Sequence, residues 1–268
     1  MRCNYENKYN IKDIGNIDME LNNKELIMFD LDGTLSESKM PLESDMVELI
    51  IRLLSKKKVA VISGGGWRQF ETQFLYGFPT SSEQFSKLFL LPASGTRLYV
   101  WKGNWCEQYS EHLSPKEKEK IMVALNETLK STGFNNPEKI FGDQIEDRGS
   151  QITFSALGQH APVQSKSTWD RDRSKRQKIV DMLKTKIPEF DVRIGGMTSV
   201  DITRRGVNKG YGIRKLEEYM KLSLDKMLFV GDALFQGGND YPVKAAGVDC
   251  IQVKGPNETK ELIRTLVN

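Results

Sequence analysis

The chain has 268 residues, of which 38% are hydrophobic and 28% are charged, proportions that are ordinary for a globular protein with a sizeable core. They exclude disorder, a collagen-like repeat or a disulfide scaffold as the class of the whole chain. Lys and Arg number 39 against 36 Asp and Glu, and the resulting net charge of +3 is too small to predict a nucleic-acid partner. The cysteines Cys3, Cys106 and Cys250 lie far apart and have no metal-ligand spacing.

The N-terminal residues lack the unbroken apolar stretch of a secretory signal. No apolar run approaches the roughly 20 residues that a membrane span needs. We therefore expect a cytoplasmic protein with no membrane partner. Residues 1–22 are polar and aperiodic, and we expect them to form an extension or a loosely docked arm.

Residues 25–91 alternate between short apolar runs and apolar residues at helical spacing. The runs at 25–29, 59–62 and 88–91 are typical of strands that are buried on both faces. The periodic segments predict helices over 42–57 and about 67–76. This alternation predicts a parallel sheet with right-handed crossovers.

The pattern changes after Gly95, where strands are predicted in pairs. The predicted elements are a hairpin over 98–101 and 105–109, a helix that begins at Ser114, strands at 151–156, 192–194 and 199–203, and a basic helix over about 173–186. Paired strands with two helices predict an α+β module with an antiparallel sheet.

The α/β pattern returns towards the C-terminus. The predicted elements there are helices over about 209–221, 241–246 and 257–267 and strands over 226–230 and 248–253. We therefore predict an α/β fold with a Rossmann-like, doubly wound parallel-sheet core made of residues 1–94 and 203–268. An α+β module is inserted into it at residues 95–202.

Polar residues follow the first predicted strand, at the edge where open α/β sheets bind their ligands. Asp30 and Asp32 lie in Asp-Leu-Asp-Gly-Thr, and such a pair can bind a hard divalent cation and provide a nucleophile and a proton donor. Taken alone, the same residues also fit an ordinary Asp-Gly turn at a strand end.

Three further signals follow in chain order. Ser63, with Gly64 behind it, precedes a predicted helix, where a hydroxyl and free N–H groups can bind an anion. Lys209 lies at a helix start, a position where a cation opposes the helix dipole unless an anion is bound nearby. Asp232 and Asp240 follow the late strand across a Gly-rich loop, as suits Mg²⁺. Each signal alone can be explained by a flexible turn or a solvated lysine. The occurrence of all four signals in this order, each at a strand end or a helix start, is rarely produced by chance.

The motifs D-L-D-G-T, S-G-G, N-K-G and G-D-A-L-F-Q-G-G-N-D, in this order, resemble those of the haloacid dehalogenase superfamily of phosphotransferases. The inserted module resembles the larger cap domain, type C2b, of its Cof-type (IIB) branch. Within that branch, the last motif is most similar to the eukaryote-type phosphomannomutases.

The resemblance implies a role for each motif residue. Asp30 would be the nucleophile that forms an aspartyl phosphate, and Asp32 would act as general acid and base. The resemblance further implies Mg²⁺ as the cofactor, with these ligands and supporting residues: Asp30, the carbonyl of Asp32, and Asp232, with Asn239 and Asp240 ordering its waters. Ser63, Gly64 and Lys209 would bind the transferring phosphoryl group.

In the inserted module, Arg148, Ser199 and Asp201 match positions at which the family binds its substrate. Gln159, however, stands where the family has an Arg, and Lys39 also stands where an Arg is expected. A Gln cannot make the charged, bidentate contact with phosphate that a mutase needs to retain its bisphosphate intermediate.

We therefore expect a Mg²⁺-dependent phosphatase that acts on a small phosphorylated sugar through an aspartyl phosphate, with phosphomannomutase as the alternative. The sequence is also compatible with a non-catalytic binding protein on the same fold, because fold alone does not determine function. A homodimer formed through the inserted module is a further expectation from the resemblance.

Overall fold

The computed structural model describes residue 21 and residues 23–79 and 83–267. The extension predicted over residues 1–22 lies, apart from Leu21, outside these residues. The chain divides into two compact units, with boundaries between Ser110 and Glu111 and between Val207 and Asn208. The first unit contains both ends of the chain, and the second is the segment between them. No helix within the described residues is both long and apolar enough to span a membrane.

The described residues form two sheets and eight α-helices, besides one π-helix and several short 3₁₀ helices. The strands are β1 (Leu26–Asp30), β2 (Lys58–Ile62), β3 (Leu88–Leu91), β4 (Arg97–Trp101), β5 (Trp105–Ser110), β6 (Ile145–Asp147), β7 (Gln151–Ser155), β8 (Phe190–Ile194), β9 (Ser199–Arg204), β10 (Met227–Gly231) and β11 (Asp249–Gln252). The helices are α1 (Ser44–Lys56), α2 (Trp67–Gln69), α3 (Pro115–Ser131), α4 (Val163–Trp169), α5 (Ser174–Lys186), α6 (Lys209–Met220), α7 (Tyr241–Ala245) and α8 (Pro256–Val267). A π-helix, Phe70–Phe74, continues α2.

The sheet of the first unit has the strand order β11-β10-β1-β2-β3-β4-β5. Its strands run parallel from β11 to β3, while β4 and β5 are antiparallel additions. All residues of β1 and β10 are buried, because helices cover both faces of the sheet. The predicted α/β core with a parallel sheet is confirmed.

Side chains of β1 alternate between two apolar layers. Ile27 and Phe29 pack in one layer with residues of α1, the π-helix and α8. Leu26 and Met28 pack in the other layer with residues of α6 and α7. Strand β1 lies between β2 and β10 and runs parallel to both. The carboxyl ends of the three strands therefore lie at the same edge of the sheet.

The second unit contains an antiparallel sheet with the strand order β6-β7-β9-β8. One face of this sheet packs against apolar side chains of α3 and α5. Helix α3 begins with a capping box, in which the Ser114 hydroxyl accepts from the Glu117 N–H and the Glu117 carboxylate accepts from the Ser114 N–H.

The hairpin predicted over 98–109 forms, but it belongs to the first unit and not to the inserted module that was predicted to begin at residue 95. Strand β4 pairs with β3, and Trp101 and Trp105 pack against the core of the first unit. At the other boundary, β9 stays paired with β8 as far as Arg204, so the second unit extends beyond residue 202. Strand β6 and helix α4 form without having been predicted.

The helix predicted over 67–76 is also different in the structure. Only Trp67–Gln69 is α-helical, and a π-helix and then a 3₁₀ turn, Leu75–Gly77, follow. The Gln73 carbonyl accepts a hydrogen bond of 3.1 Å from the Leu42 N–H. A contact from outside the segment therefore occupies a carbonyl that a continuing helix would use.

Candidate active site

The candidate site lies at the carboxyl edge of the parallel sheet in the first unit. Asp30 is the last residue of β1, and Ser63 directly follows β2. Asp30 is paired in register with Ile62, so Ser63 leaves the sheet beside it. Asp232 directly follows β10, the neighbour of β1 on the other side.

Asp30, Asp232 and Asp240 form an acidic triad, in which one carboxylate oxygen of each residue lies within 4.8 Å of those of the other two. Gly33 makes room for this arrangement, because a Cβ there would lie 2.7 Å from Asp232 Oδ2. Gly33 also has a φ of +82°, which an L side chain adopts with strain.

Lys209 connects two members of the triad. Its Nζ lies 2.7 Å from Asp30 Oδ1 and 2.5 Å from Asp240 Oδ1, and all three side chains are buried. It is the first residue of α6, whose N-cap residue, Asn208, accepts a hydrogen bond from the Tyr211 N–H. The helix start therefore places a cation between two carboxylates.

The oxygens of the triad are not equally occupied. Both oxygens of Asp240 accept hydrogen bonds, from Lys209 and from the Ala233 N–H. Asp30 Oδ1 accepts from the Leu31 N–H and contacts Lys209, while Asp30 Oδ2 has no donor among the described residues. Asp30 Oδ2 is therefore available to a substrate or a cation.

The residues of the triad fit a hard divalent cation such as Mg²⁺, which binds carboxylate oxygens. The three carboxylates face a single ammonium, in a cluster where Asp30 and Asp240 are buried and Asp232 is half-buried. Burial raises the pKa of Asp30, and neighbouring Asp240 raises it further, although Lys209 lowers it. Burial and Asp240 likewise raise the pKa of Asp232. Burial lowers the pKa of Lys209, but Asp240 and Asp30 reverse this effect and raise it above its usual value.

The Asp32 carboxylate does not belong to the triad. It accepts hydrogen bonds from the Lys39 N–H at 2.7 Å, from Gln69 Nε2 at 2.7 Å and from Gln73 Nε2 at 3.0 Å. Burial raises the pKa of Asp32, but the Lys39 charge and these hydrogen bonds outweigh burial and lower it below the usual value. The surroundings therefore raise the pKa of Asp30 and lower the pKa of Asp32.

Gln69 and Gln73 were not singled out in the sequence. The only local signal is their i, i+4 spacing, directly after the Ser63 loop. Their contacts with Asp32 span 37 and 41 residues, so spacing alone does not reveal them.

Ser63 is 3% exposed, and its hydroxyl oxygen accepts from the Gly65 N–H at 3.1 Å. The hydroxyl hydrogen has no acceptor among the described residues and remains available to an anion. Gly64 follows it and is half-buried. Asn239, which was predicted to order waters of Mg²⁺ together with Asp240, is exposed, and its side chain makes no hydrogen bond with the described residues.

The substrate residues predicted in the inserted module all lie in the second unit. Ser199 and Asp201 are two apart on β9 and share one face of that strand. Asp201 accepts a hydrogen bond of 2.8 Å from Thr153 Oγ1 on the neighbouring strand. Arg148, between β6 and β7, forms an ion pair of 2.7 Å with Glu146.

Comparisons with known proteins agree with this architecture. The chain is 24% identical over 255 residues to a phosphomannomutase of Encephalitozoon cuniculi, covering 90% of this chain and 93% of the relative. It is 27% identical over 251 residues to a phosphomannomutase of Galdieria sulphuraria, covering 91% and 94% of the two chains. The crystal structure of a haloacid dehalogenase-like hydrolase from Bacteroides thetaiotaomicron superimposes with a TM-score of 0.61 at 15% identity, covering 90% of this chain and 98% of that one.

The profile of the eukaryotic phosphomannomutases matches residues 46–268, which is most of the chain. With this match, the chain belongs to the eukaryotic phosphomannomutase family.

Proposed function

We propose that the chain is a Mg²⁺-dependent phosphotransferase that interconverts mannose 6-phosphate and mannose 1-phosphate through a phosphoryl group carried on Asp30. The observation that carries the proposal is the buried Asp30 carboxylate, with Lys209 on one oxygen and, within the described part of the chain, no donor on the other. The family match supports this reaction better than the hydrolysis that the sequence led us to expect.

In the proposed reaction, an Asp30 oxygen attacks a phosphorus atom of the activating hexose 1,6-bisphosphate, and the bond between that phosphorus and the sugar oxygen breaks, so that a hexose monophosphate leaves. Asp32 gives the leaving oxygen its proton and later removes the proton of the hydroxyl that accepts the phosphoryl group. That acceptor is a hexose monophosphate, so a hexose bisphosphate forms. The bisphosphate reorients in the site and transfers its other phosphoryl group to Asp30. Mannose 1-phosphate is then released.

The remaining residues stabilise charge. The Ser63 hydroxyl and the Lys209 ammonium would bind the equatorial oxygens of the phosphoryl group, which carry the charge of the transition state. Asp30, Asp232 and Asp240 would hold Mg²⁺. When bound, this ion supplies the positive charge that allows a carboxylate to approach a phosphate.

A second candidate reaction is hydrolysis of the sugar phosphate. Gln159 favours it, because this uncharged residue stands where the family resemblance places an Arg. With fewer charged contacts to its second phosphate, a bisphosphate would leave the site more often before it reorients.

The test supplies the enzyme with mannose 6-phosphate, Mg²⁺ and a catalytic amount of hexose 1,6-bisphosphate, and follows the products by ³¹P NMR. We expect mannose 1-phosphate to accumulate faster than free phosphate, and Asp30→Asn to abolish both products. Free phosphate without mannose 1-phosphate would establish the phosphatase instead. No product from any hexose phosphate or aryl phosphate, with folded protein, would overturn both reactions and favour a non-catalytic binding protein.

A further inference from the structure

The Asp32 carboxylate is held by side chains that the motif does not contain. Gln69 Nε2 donates to Asp32 Oδ2 at 2.7 Å, and Gln73 Nε2 donates to Asp32 Oδ1 at 3.0 Å. The Lys39 N–H also donates to Oδ1, at 2.7 Å. Both oxygens therefore have amide donors, and the plane of the carboxylate is fixed from two sides.

Further hydrogen bonds fix the two amides themselves. The Lys39 ammonium, which can only donate, bonds to Gln69 Oε1 at 2.7 Å. This contact turns Gln69 Nε2 towards Asp32 and towards Gln73 Oε1, which it reaches at 2.7 Å. Gln73 Nε2 in turn also donates to Ser36 Oγ at 2.8 Å. Neither amide can flip without placing acceptor against acceptor.

The backbone under the two glutamines is unusual. Gln69 ends α2, and Gln73 lies within the π-helix that follows. Single π-turns are rare and occur often at functional sites. Phe70 and Phe74 are fully buried and anchor the segment, and Gln73 is itself only 2% exposed.

We propose that Gln69 and Gln73, here named the glutamine pair, are positioning residues that hold the Asp32 carboxylate where it can protonate the leaving oxygen. This inference rests on the proposed function, because it assigns to the pair a part in the same phosphoryl transfer. Asp32 lies outside the acidic triad, so a cation bound by that triad would not orient its carboxylate. The glutamine pair supplies this orientation, and its amide donors stabilise the negative charge that Asp32 gains as its proton leaves.

The proposal predicts a dependence on the leaving group. A phenol of low pKa leaves without a proton, whereas a phenol of high pKa needs one from the general acid. The experiment measures phenol release from a series of substituted phenyl phosphates, with Mg²⁺ present and enzyme in excess so that only the first transfer is observed.

We expect Gln69→Met and Gln73→Met to leave the rate with the most acidic phenol close to that of the wild type. With the least acidic phenol, the rate should fall about 10- to 100-fold, the range that corresponds to about 1.5–3 kcal/mol for a hydrogen bond to a charged group. The rate should therefore depend more steeply on the phenol pKa. Asp32→Asn should give the same steepening to a greater extent.

Phe74→Leu is the matched control, because it alters packing of the same π-helix without removing a donor from Asp32. It should reduce stability and leave the dependence on phenol pKa unchanged. Gln69 is only half-buried, so Gln69→Met keeps the test valid if Gln73→Met does not fold.

An equal loss with all phenols, or an unchanged dependence in folded Gln69→Met, would overturn the role of the glutamine pair. A wild-type enzyme that forms no mannose 1-phosphate in the ³¹P NMR assay would instead overturn the proposed function, and this inference with it.

Discussion

Asp30 and Asp32 are separated by one residue, yet the protein treats their carboxylates in different ways. Asp30 is buried against Lys209 and beside two more carboxylates, and its pKa is raised. Asp32 is surrounded by amide donors and the Lys39 charge, and its pKa is lowered. The donors around Asp32 favour its ionised form, and a cation held by the triad would favour the ionised form of Asp30, the form that can attack phosphorus.

The positions of the motif residues in the fold could be predicted, because each follows a strand or begins a helix that local sequence determines. Asp30, Ser63, Lys209 and Asp232 all have such positions. The contacts of Gln69 and Gln73 with Asp32 could not be predicted. Asp32 is distant from both glutamines in the chain, and the contacts depend on how β1 and α2 pack together. The place of Asp240 in the triad was underestimated for the same reason, since its contact with Lys209 spans 31 residues.

The first residue-scale prediction concerns the cation. We expect Mg²⁺ to raise the melting temperature of the wild type and of Asp32→Asn but not of Asp232→Asn. A ligand that binds only the folded state stabilises it by about 2.7 kcal/mol at a hundredfold excess over its dissociation constant, or a shift on the order of 5 °C. Asp32→Asn keeps the carboxylates of the triad, whereas Asp232→Asn removes one.

Differential scanning fluorimetry across a Mg²⁺ titration measures this shift, with NaCl at equal ionic strength as the control for screening. The assignment of the cation to the triad would be wrong if Asp32→Asn lost the shift and Asp232→Asn retained it.

At the scale of elements, α6 carries Lys209 into the site and packs closely against the turn after β3. A Cβ at Gly212 would lie 2.6 Å from the Ser94 carbonyl oxygen and 2.8 Å from the Cα atom of Gly95. The local sequence predicted α6 well, because apolar spacing and the Asn208 cap are local signals. It could not predict the π-helix, because the Gln73 carbonyl is bound by Leu42, a residue from another segment.

The element-scale prediction is that Gly212→Ala destabilises the protein by about 1–3 kcal/mol, the usual cost of overpacking. In an uncrowded helix the same change would stabilise by about 1 kcal/mol, so the sign of the effect tests the contact. Activity should fall as well, because α6 positions Lys209. Urea unfolding and the mannose phosphate assay give the two measurements.

Glu218→Ala, at an exposed position of the same helix, is the control and should change stability by no more than about 0.5 kcal/mol. A stabilised Gly212→Ala variant with wild-type activity would show that α6 does not need this close approach.

At the scale of the whole molecule, the chain builds a first unit from two distant segments and a second unit from the residues between them. The parallel core was predictable because its strands are continuous apolar runs. The unit to which the hairpin at 97–110 belongs was not predictable, because a hairpin pattern does not indicate which sheet the hairpin joins. Pairing of β4 with β3 and burial of its tryptophans decide that question.

The whole-molecule prediction addresses the balance between isomerisation and hydrolysis. Gln159 lies in the second unit, where its N–H donates to the Asp143 carbonyl and its own carbonyl accepts from Lys166 Nζ. Its side-chain Nε2 is buried and has no partner among the described residues. Because backbone contacts hold this residue, the side chain can be exchanged while its place in the chain is kept.

We expect Gln159→Arg to raise the ratio of mannose 1-phosphate formed to phosphate released by about 10- to 100-fold. This range corresponds to about 1.5–3 kcal/mol for one charge-assisted hydrogen bond that retains the bisphosphate. Gln177→Arg adds the same charge to an exposed position of α5 and should leave the ratio unchanged. The ratio is measured by ³¹P NMR with hexose 1,6-bisphosphate as activator. Equal ratios in the wild type and in Gln159→Arg would mean that residue 159 does not contribute to bisphosphate retention.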